Sequence, residues 1–220
     1  MEVKFLGHAC FLLDDGTHKV IIDPHLSGNP LAAAKPEEIE ADFICVTHGH
    51  GDHIGDSVEI AKRTGAAVFC TVDLAGAVYM PAGVKATGGN LGGTAPMPFG
   101  SIKLFPAIHG SGVAGGLACS FIVEIGGMNI YHAGDTALMA DMALLEEENI
   151  DIALLPIGDF YTMGPKDALR AVKMIRPRLT IPMHYNTFPA IRQDPHAFAA
   201  AVENAGFSAK VLEPGESISL

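Results

Sequence analysis

Residues 42–53 read Asp-Phe-Ile-Cys-Val-Thr-His-Gly-His-Gly-Asp-His, an apolar run that ends in a cluster of polar side chains. Such a run is typical of a buried strand, and functional residues commonly lie on the loop that follows. Imidazole and carboxylate are ligands that suit Zn²⁺ and similar cations. His48 and His50 can reach one ion. Asp52 and His53 can reach a second ion, so this loop predicts a metal site.

Two metal ions need more ligands than one loop supplies, and three other predicted strand ends carry suitable side chains. His109, Asp135 and His184 each stand where an apolar run gives way to a loop. Taken singly, Asp135 could cap a helix that starts at Thr136, and His184 could be an ordinary core histidine. The conjunction of all these strand ends favours metal binding.

The pattern along the chain indicates strands first and alternating strands and helices later in each half. Helices are predicted over 57–64, 136–149, 165–175 and 195–205, and a closing strand near 209–212. Residues 83–100, rich in Gly and Pro, read as irregular chain or a hairpin. This order favours an α/β fold with two central mixed sheets flanked by helices, with residues 1–220 forming a single domain.

Composition excludes several classes of protein. Apolar residues make up 49% and charged residues 18% of the 220, which is the opposite of a disordered chain. The net charge of −11 argues against nucleic acid and anionic lipid as partners. Four scattered cysteines predict reduced, buried thiols. Without an apolar run of about 20 residues or a basic leader, we expect no membrane contact and a cytoplasmic location.

The residues together resemble the metallo-β-lactamase superfamily, whose HxHxDH motif stands here at residues 48–53. The whole chain is similar to the small metal-dependent hydrolase (UPF0173-like) branch related to ascorbate-6-phosphate lactonase. The segments that carry this similarity, in order, are Gly7-His8-Ala9, Ile22-Asp23-Pro24, Leu26-Ser27-Gly28-Asn29-Pro30, Gly134-Asp135-Thr136, Tyr161-Thr162-Met163-Gly164-Pro165 and Met183-His184-Tyr185-Asn186-Thr187. The resemblance implies a four-layer αββα sandwich.

The resemblance also implies a dinuclear site. His48, His50 and His109 would hold one divalent ion. Asp52, His53 and His184 would hold the other, and Asp135 would bridge them. The ions would be zinc, with manganese as the alternative, and a hydroxide held between them would cleave a small ester, lactone or phosphoester. Asp52 and Asp135 would thus act in catalysis as well as in metal binding.

Further residues have candidate roles in substrate handling. His8 could contact the substrate or leaving group, or be structural, and Asn186 could donate a hydrogen bond to a developing oxyanion. Thr162, Gly164 and Lys166 stand at a helix start whose dipole could hold an anionic substrate group. Asp23 could orient a metal-binding histidine or only form a turn before proline. The predicted partner is a small molecule, with an anionic group suggested by the lactonase, and a homo-oligomer is left open.

Three alternatives to the hydrolase remain open at this point. A di-iron redox protein is one, although di-iron relatives generally resemble HxExDH where this chain has His50. A nuclease is the second, against which the acidic charge argues. A metal-binding protein without turnover is the third.

Overall fold

Thirteen strands build the framework of the computed structural model, which describes residues 1–220. In chain order they are β1 (Glu2–Gly7), β2 (Cys10–Asp14), β3 (Lys19–Ile22), β4 (Phe43–Cys45), β5 (Ala67–Thr71), β6 (Ala86–Gly89), β7 (Thr94–Met97), β8 (Gly100–Pro106), β9 (Cys119–Ile125), β10 (Met128–His132), β11 (Ile152–Pro156), β12 (Leu179–Met183) and β13 (Ser217–Ser219). The helices are α1 (Gly51–Ile54), α2 (Ser57–Thr64), α3 (Val72–Leu74), α4 (Pro165–Ile175) and α5 (Pro195–Asn204).

The strands form two mixed sheets. The first has the order β13-β1-β2-β3-β4-β5-β6, antiparallel from β13 to β3 and parallel from β3 to β6. The second has the order β12-β11-β10-β9-β8-β7, parallel across β10 to β12 and antiparallel elsewhere. The predicted pair of mixed sheets is confirmed.

One hydrophobic core joins the sheets, since its 42 buried residues come from both of them. Phe69 of the first sheet faces Phe121 of the second, with ring centroids 6.2 Å apart. A second cluster of 17 residues packs α2 and α3 on the outer face of the first sheet. Helices α4 and α5 cover the second sheet. The layers therefore run helix, sheet, sheet, helix, as the four-layer prediction requires.

Helix α4 shows how the local pattern places an element. Ala168, Ala171, Val172 and Ile175 are its buried residues, at the spacing of one helix face. Pro165 occupies its first turn, and Arg176, in a left-handed conformation, ends it.

The helix predicted over 136–149 is confirmed only in part. Residues 136–139 have no regular secondary structure, and the helix over Ala140–Glu148 is of the 3₁₀ type. The backbone groups of Thr136 and Ala137 bond to distant partners: Met163 N–H donates to Thr136 O, and Ala137 N–H donates to Ile108 O. Tertiary hydrogen bonds thus replace the first helical turn.

The closing strand near 209–212 is also wrong. Ala209 makes only an isolated bridge with Thr180, and the last strand is β13, which pairs with β1. Residues 83–100, which the sequence left irregular or as a hairpin, contain β6 at the edge of one sheet and β7 at the edge of the other. No helix has the length and apolar character needed to cross a membrane.

Candidate metal centre

The loops that follow four strands bring the predicted metal ligands to one edge of the two sheets. His48, His50, Asp52 and His53 follow β4, and α1 begins within this segment. From the other sheet, His109 follows β8, Asp135 follows β10 and His184 follows β12. Because the ligands come from both sheets, the site forms only when the sheets pack together.

The first group of candidate ligands is His48, His50 and His109, whose ring nitrogens lie close together. His48 Nε2 lies 3.0 Å from His50 Nδ1, and His109 Nε2 lies 3.3 Å from the same His50 atom. These three nitrogens converge closely enough to hold one cation.

The second group contains the predicted ligands Asp52, His53 and His184 together with His8, and the ligand atoms of all four residues converge. The Asp135 carboxylate lies between the two groups. Its Oδ1 is 3.2 Å from His53 Nε2, and its Oδ2 is 3.2 Å from His184 Nε2 and 3.5 Å from His109 Nε2. The Asp135 carboxylate therefore contacts histidines of both groups.

Several of these buried polar atoms make no hydrogen bond of acceptable geometry, although some lie 3.2 Å from a neighbouring ligand atom: His53 Nε2, both ring nitrogens of His184, and Asp135 Oδ1. Buried polar groups are nearly always satisfied, so a group of orphaned donor atoms at one point needs an explanation. The donors are imidazole nitrogens and carboxylate oxygens, which are zinc-type ligands. The residues present therefore fit a bound metal centre.

Asp23 orients two of the histidines from beneath. It is fully buried, and its Oδ2 accepts hydrogen bonds from His53 Nδ1 and from the Thr47 hydroxyl, both at 2.7 Å. Its Oδ1 accepts from Thr47 N–H at 2.8 Å. The Thr47 oxygen in turn lies 3.0 Å from His48 Nδ1. With a metal ion bound, both histidines would carry their proton on Nδ1 and direct the Nε2 lone pair toward the centre. Of the two roles that the sequence allows for Asp23, these hydrogen bonds favour the orientation of a candidate metal-binding histidine over a simple turn before proline.

Asp23 has a left-handed backbone, with φ +46°, as have His8 at +59° and His184 at +55°. Left-handed backbone costs a non-glycine residue about 1–2 kcal/mol. Three such residues at one site indicate backbone strain that the surrounding packing maintains.

The charges of the centre shift its pKa values strongly. Burial lowers the pKa of His48 to about 2. Burial also acts to lower the pKa of His53, but the Asp135 and Asp23 carboxylates outweigh it and raise that pKa well above the usual value. The imidazoles of His53 and His184 hold the pKa of Asp135 well below its usual value, although burial opposes them. Without metal, a proton on His53 therefore compensates the carboxylates.

His8 lies beneath the centre and does not line the cavity above it. Its Nε2 is 3.2 Å from Asp52 Oδ2, its Nδ1 is 2.7 Å from Thr187 Oγ1, and its side chain is buried. Burial is the main reason why its pKa falls to about 3. His8 therefore contacts a predicted ligand, and no direct contact with substrate follows from its position.

A cavity of about 820 Å³ opens above the centre. Besides predicted ligands, it is lined by residues to which the sequence assigned no role: His25, Gly28, Tyr161, Phe188, Pro189 and Ala190. The segments around residues 25 and 161 belong to the motifs that carry the family resemblance, but the sequence does not show which of their side chains line the cavity.

Four predicted residues lie away from this cavity. Asn186 lines a separate depression, where its Oδ1 accepts from Gln193 N–H. Lys166 lines another groove, on α4 and α5. Thr162 donates to the carbonyl of Met163, and Gly164 lies against Asp159. This geometry gives no support to the predicted oxyanion and anion-binding roles.

Gly49 is required by close packing. A Cβ at this position would lie 2.8 Å from Val113 Cγ1 and 2.9 Å from the Ser111 carbonyl oxygen. A Cβ on Gly51 would meet no atom within 4 Å. Only the first of the two glycines in the motif is therefore needed on steric grounds.

Comparison with known proteins identifies the family of this chain. A model of the β-lactamase superfamily domain matches residues 2–184. A UPF0173 metal-dependent hydrolase of Heliobacterium modesticaldum is 48% identical over 233 residues, which cover 100% of this chain and 98% of that protein. One from Thermus thermophilus is 49% identical over 225 residues, covering 100% and 99%.

Among solved structures, Igni18, a metallo hydrolase from the archaeon Ignicoccus hospitalis, superimposes with a TM-score of 0.93. The two sequences are 39% identical, and the match covers 99% of this chain and 97% of that one. The family model and the relatives each span most or all of the chain. The chain therefore belongs to the metallo-β-lactamase superfamily, and within it to the family of UPF0173 metal-dependent hydrolases.

Proposed function

We propose that this hydrolase holds two divalent metal ions and cleaves a small ester, lactone or phosphoester. The observation that carries the proposal is the convergence of two donor groups on the Asp135 carboxylate, whose Oδ2 lies within 3.5 Å of both His109 and His184. His48, His50 and His109 would hold one ion. Asp52, His53 and His184 would hold the other.

The donor set favours zinc, with manganese as the alternative. Imidazole nitrogens outnumber carboxylates, and this balance suits zinc better than a hard cation such as magnesium. His50 supplies a nitrogen at the position where di-iron relatives generally carry a carboxylate, which argues against the di-iron redox alternative. Ions bound here would polarise a substrate oxygen and lower the pKa of a coordinated water from 15.7 to about 7.

The protein's own residues position and neutralise this centre. Asp52 and Asp135 compensate cationic charge, and Asp23 holds His53 and, through Thr47, His48 in the tautomers that bind metal. His8 holds Asp52 from beneath and is itself held by Thr187. We assign His8 a positioning role, because its buried side chain has no place on the cavity wall.

The surroundings of the centre favour a small molecule over a polymer. The cavity volume of about 820 Å³ is in the range of small-molecule sites. The net charge of −11 disfavours nucleic acid. We propose that residues 1–220 act as one hydrolase domain, since ligands come from both sheets. The four buried free cysteines support a reducing compartment such as the cytoplasm.

The proposal is tested by elemental analysis of protein purified without added metal, together with hydrolysis assays on carboxylic esters, lactones and phosphodiesters. We expect about two ions per chain and turnover of one substrate class. Fewer than one ion per chain, with no activity after metal is added, would favour the metal-binding protein without turnover.

Substitution of Asp135 tests the bridging position. Asp135→Asn should lower the metal content and reduce hydrolysis by at least about 100-fold, because loss of a residue that only orients a ligand already costs up to about 100-fold. Asp194→Asn is the matched control, because Asp194 caps α5 outside the cavity through bonds to His196 and Ala197 N–H. Unchanged activity in folded Asp135→Asn protein would contradict the bridging assignment.

A further inference from the structure

The cavity above the metal centre is lined by two chemically different sets of side chains, and each set is called a wall. One wall is made of the imidazoles and carboxylates of the centre and of His25. The other is made of Tyr161, Phe188, Pro189 and Ala190. The reacting group of a substrate must meet the first wall, so the rest of the molecule meets the second.

The cavity has no cationic side chain. None of its lining residues is a lysine or arginine. Lys166 and Arg192 line two other surface depressions. A carboxylate or phosphate at the far end of a substrate would lose hydration here without gaining an ion pair, which is costly. The lining therefore favours a substrate whose non-reacting end is neutral.

The second wall continues as an exposed aromatic surface. Phe160 is 75% and Tyr161 53% exposed, and their ring centroids lie 4.8 Å apart in an edge-to-face arrangement. Large exposed aromatic side chains beside a cavity are typical of binding surfaces.

The backbone that presents these two rings is strained. Asp159 and Phe160 are consecutive left-handed residues, with φ +60° and +47°. The segment is held in place by a hydrogen bond from Asp159 N–H to Met163 O at 3.0 Å. Strained backbone beside a cavity supports a functional reason for exposing the rings.

Phe188, from the loop after β12, adds a ring anchored on the site itself. It is partly buried, and its ring centroid lies 5.4 Å from that of His8 in an edge arrangement. Tyr161 and Phe188 come from different loops, so the apolar wall, like the metal centre, is assembled by the tertiary structure.

We propose that the substrate carries a neutral, flat apolar group, such as an aromatic ring, that binds against Tyr161 and Phe188 while its ester or lactone bond faces the metal centre. This inference rests on the hydrolase function proposed above. Hydrolysis of such a substrate consumes one water: the acyl–oxygen bond breaks, hydroxyl adds to the acyl carbon and a proton adds to the alcohol oxygen. No further reactant is needed.

Three acetate esters that share a primary alcohol leaving group test the proposal: 2-phenylethyl acetate, 2-(4-carboxyphenyl)ethyl acetate and ethyl acetate. Their ester bonds have nearly equal intrinsic reactivity, so differences in kcat/KM report recognition of the remote group. We expect the neutral aromatic ester to exceed the other two by at least about tenfold, as burial of a ring predicts. Equal values, or preference for the carboxylate, would overturn the proposal.

Two variants locate the effect, and Leu144→Ala serves as an exposed apolar control from the 3₁₀ helix, outside the cavity. Tyr161→Ala and Phe188→Ala should each lower the ratio of kcat/KM for the aromatic ester to kcat/KM for ethyl acetate by about threefold to tenfold, on the scale of ring burial. Tyr161 is half exposed, so its replacement carries little risk to folding. An unchanged preference in both variants would contradict the proposal.

A binding measurement separates this proposal from the hydrolase function. The product 2-phenylethanol should bind metal-free protein, detected by ligand-observed NMR, and should bind Phe188→Ala more weakly. If no ester is hydrolysed but this binding is seen and lost in the variant, the hydrolase proposal fails and the apolar wall stands. If esters are hydrolysed but 2-phenylethanol does not bind, the apolar-wall proposal fails alone.

Discussion

Replacing Asp23 with asparagine should weaken metal binding although Asp23 touches no metal ion in the proposed site. The amide oxygen would stay with Thr47 N–H, since that bond is made by Oδ1. The NH₂ group would then replace Oδ2, which now accepts from His53 Nδ1 and the Thr47 hydroxyl at 2.7 Å. Two hydrogen-bond donors, the new NH₂ group and His53 Nδ1–H, would then face each other.

Relief of this clash requires His53 to move its proton from Nδ1 to Nε2, which removes the lone pair directed at the centre. Thr47 would accept from the new amide and donate to His48 Nδ1, 3.0 Å away, so that His48 would change tautomer as well. One substitution would thus affect both ion positions. The loss of such support costs about 10–100-fold in affinity, or about 1.4–2.7 kcal/mol per ion.

Competition with a chromophoric chelator measures the zinc affinity. Asp151→Asn is the matched control, because Asp151 is a buried carboxylate at the start of β11, away from the metal-site edge, that accepts from Asn129 N–H. It should alter stability but leave zinc affinity unchanged. Zinc affinity of Asp23→Asn within threefold of wild type, or an equal loss in Asp151→Asn, would refute the tautomer argument.

Three further predictions concern protons and packing. Zinc binding to metal-free protein at pH 7 should release protons, because carboxylates raise the pKa of His53 and the ion must displace its proton. Calorimetry in buffers of different ionisation enthalpy measures the number of protons released, and a value of zero would contradict a protonated His53 in the metal-free protein. Gly49→Ala should destabilise the fold by about 1–3 kcal/mol, because its Cβ would meet Val113 and Ser111. Gly51→Ala should be neutral or stabilising, since its Cβ would meet no atom within 4 Å. Urea unfolding measures both variants, and a larger loss of stability in Gly51→Ala would contradict the steric argument. Burial lowers the pKa of His132, whose Nε2 donates to Ala9 O while its Nδ1 accepts from Gly134 N–H. The unfolded chain therefore binds more protons, and the free energy of unfolding falls as the pH drops below about 6.5. Urea unfolding of metal-free protein at pH 7.5 and 5.5 should show a smaller loss of stability in His132→Gln than in the wild type, and an equal loss would exclude His132 as the cause.

The sequence by itself was sufficient for the two-sheet architecture and for the position of the candidate ligands after strands. These properties are local: an apolar run predicts a buried strand, and a dense cluster of imidazole and carboxylate predicts a metal site. The superfamily resemblance was confirmed for the same reason, since its motifs are short and contiguous. The grouping of ligands around two ions stays a prediction that the geometry supports.

Only the tertiary structure decided how residues distant in sequence act on one another. It placed Asp23 beneath His53 and Asn186 outside the cavity, and it replaced the start of the predicted helix at Thr136 with bonds to Met163 and Ile108. It also assembled Tyr161 and Phe188 into one wall. The physical reason is that hydrogen bonds and side-chain exposure at the site depend on which loops contact one another. Those contacts are determined by the packing of the two sheets and not by the local pattern of residues.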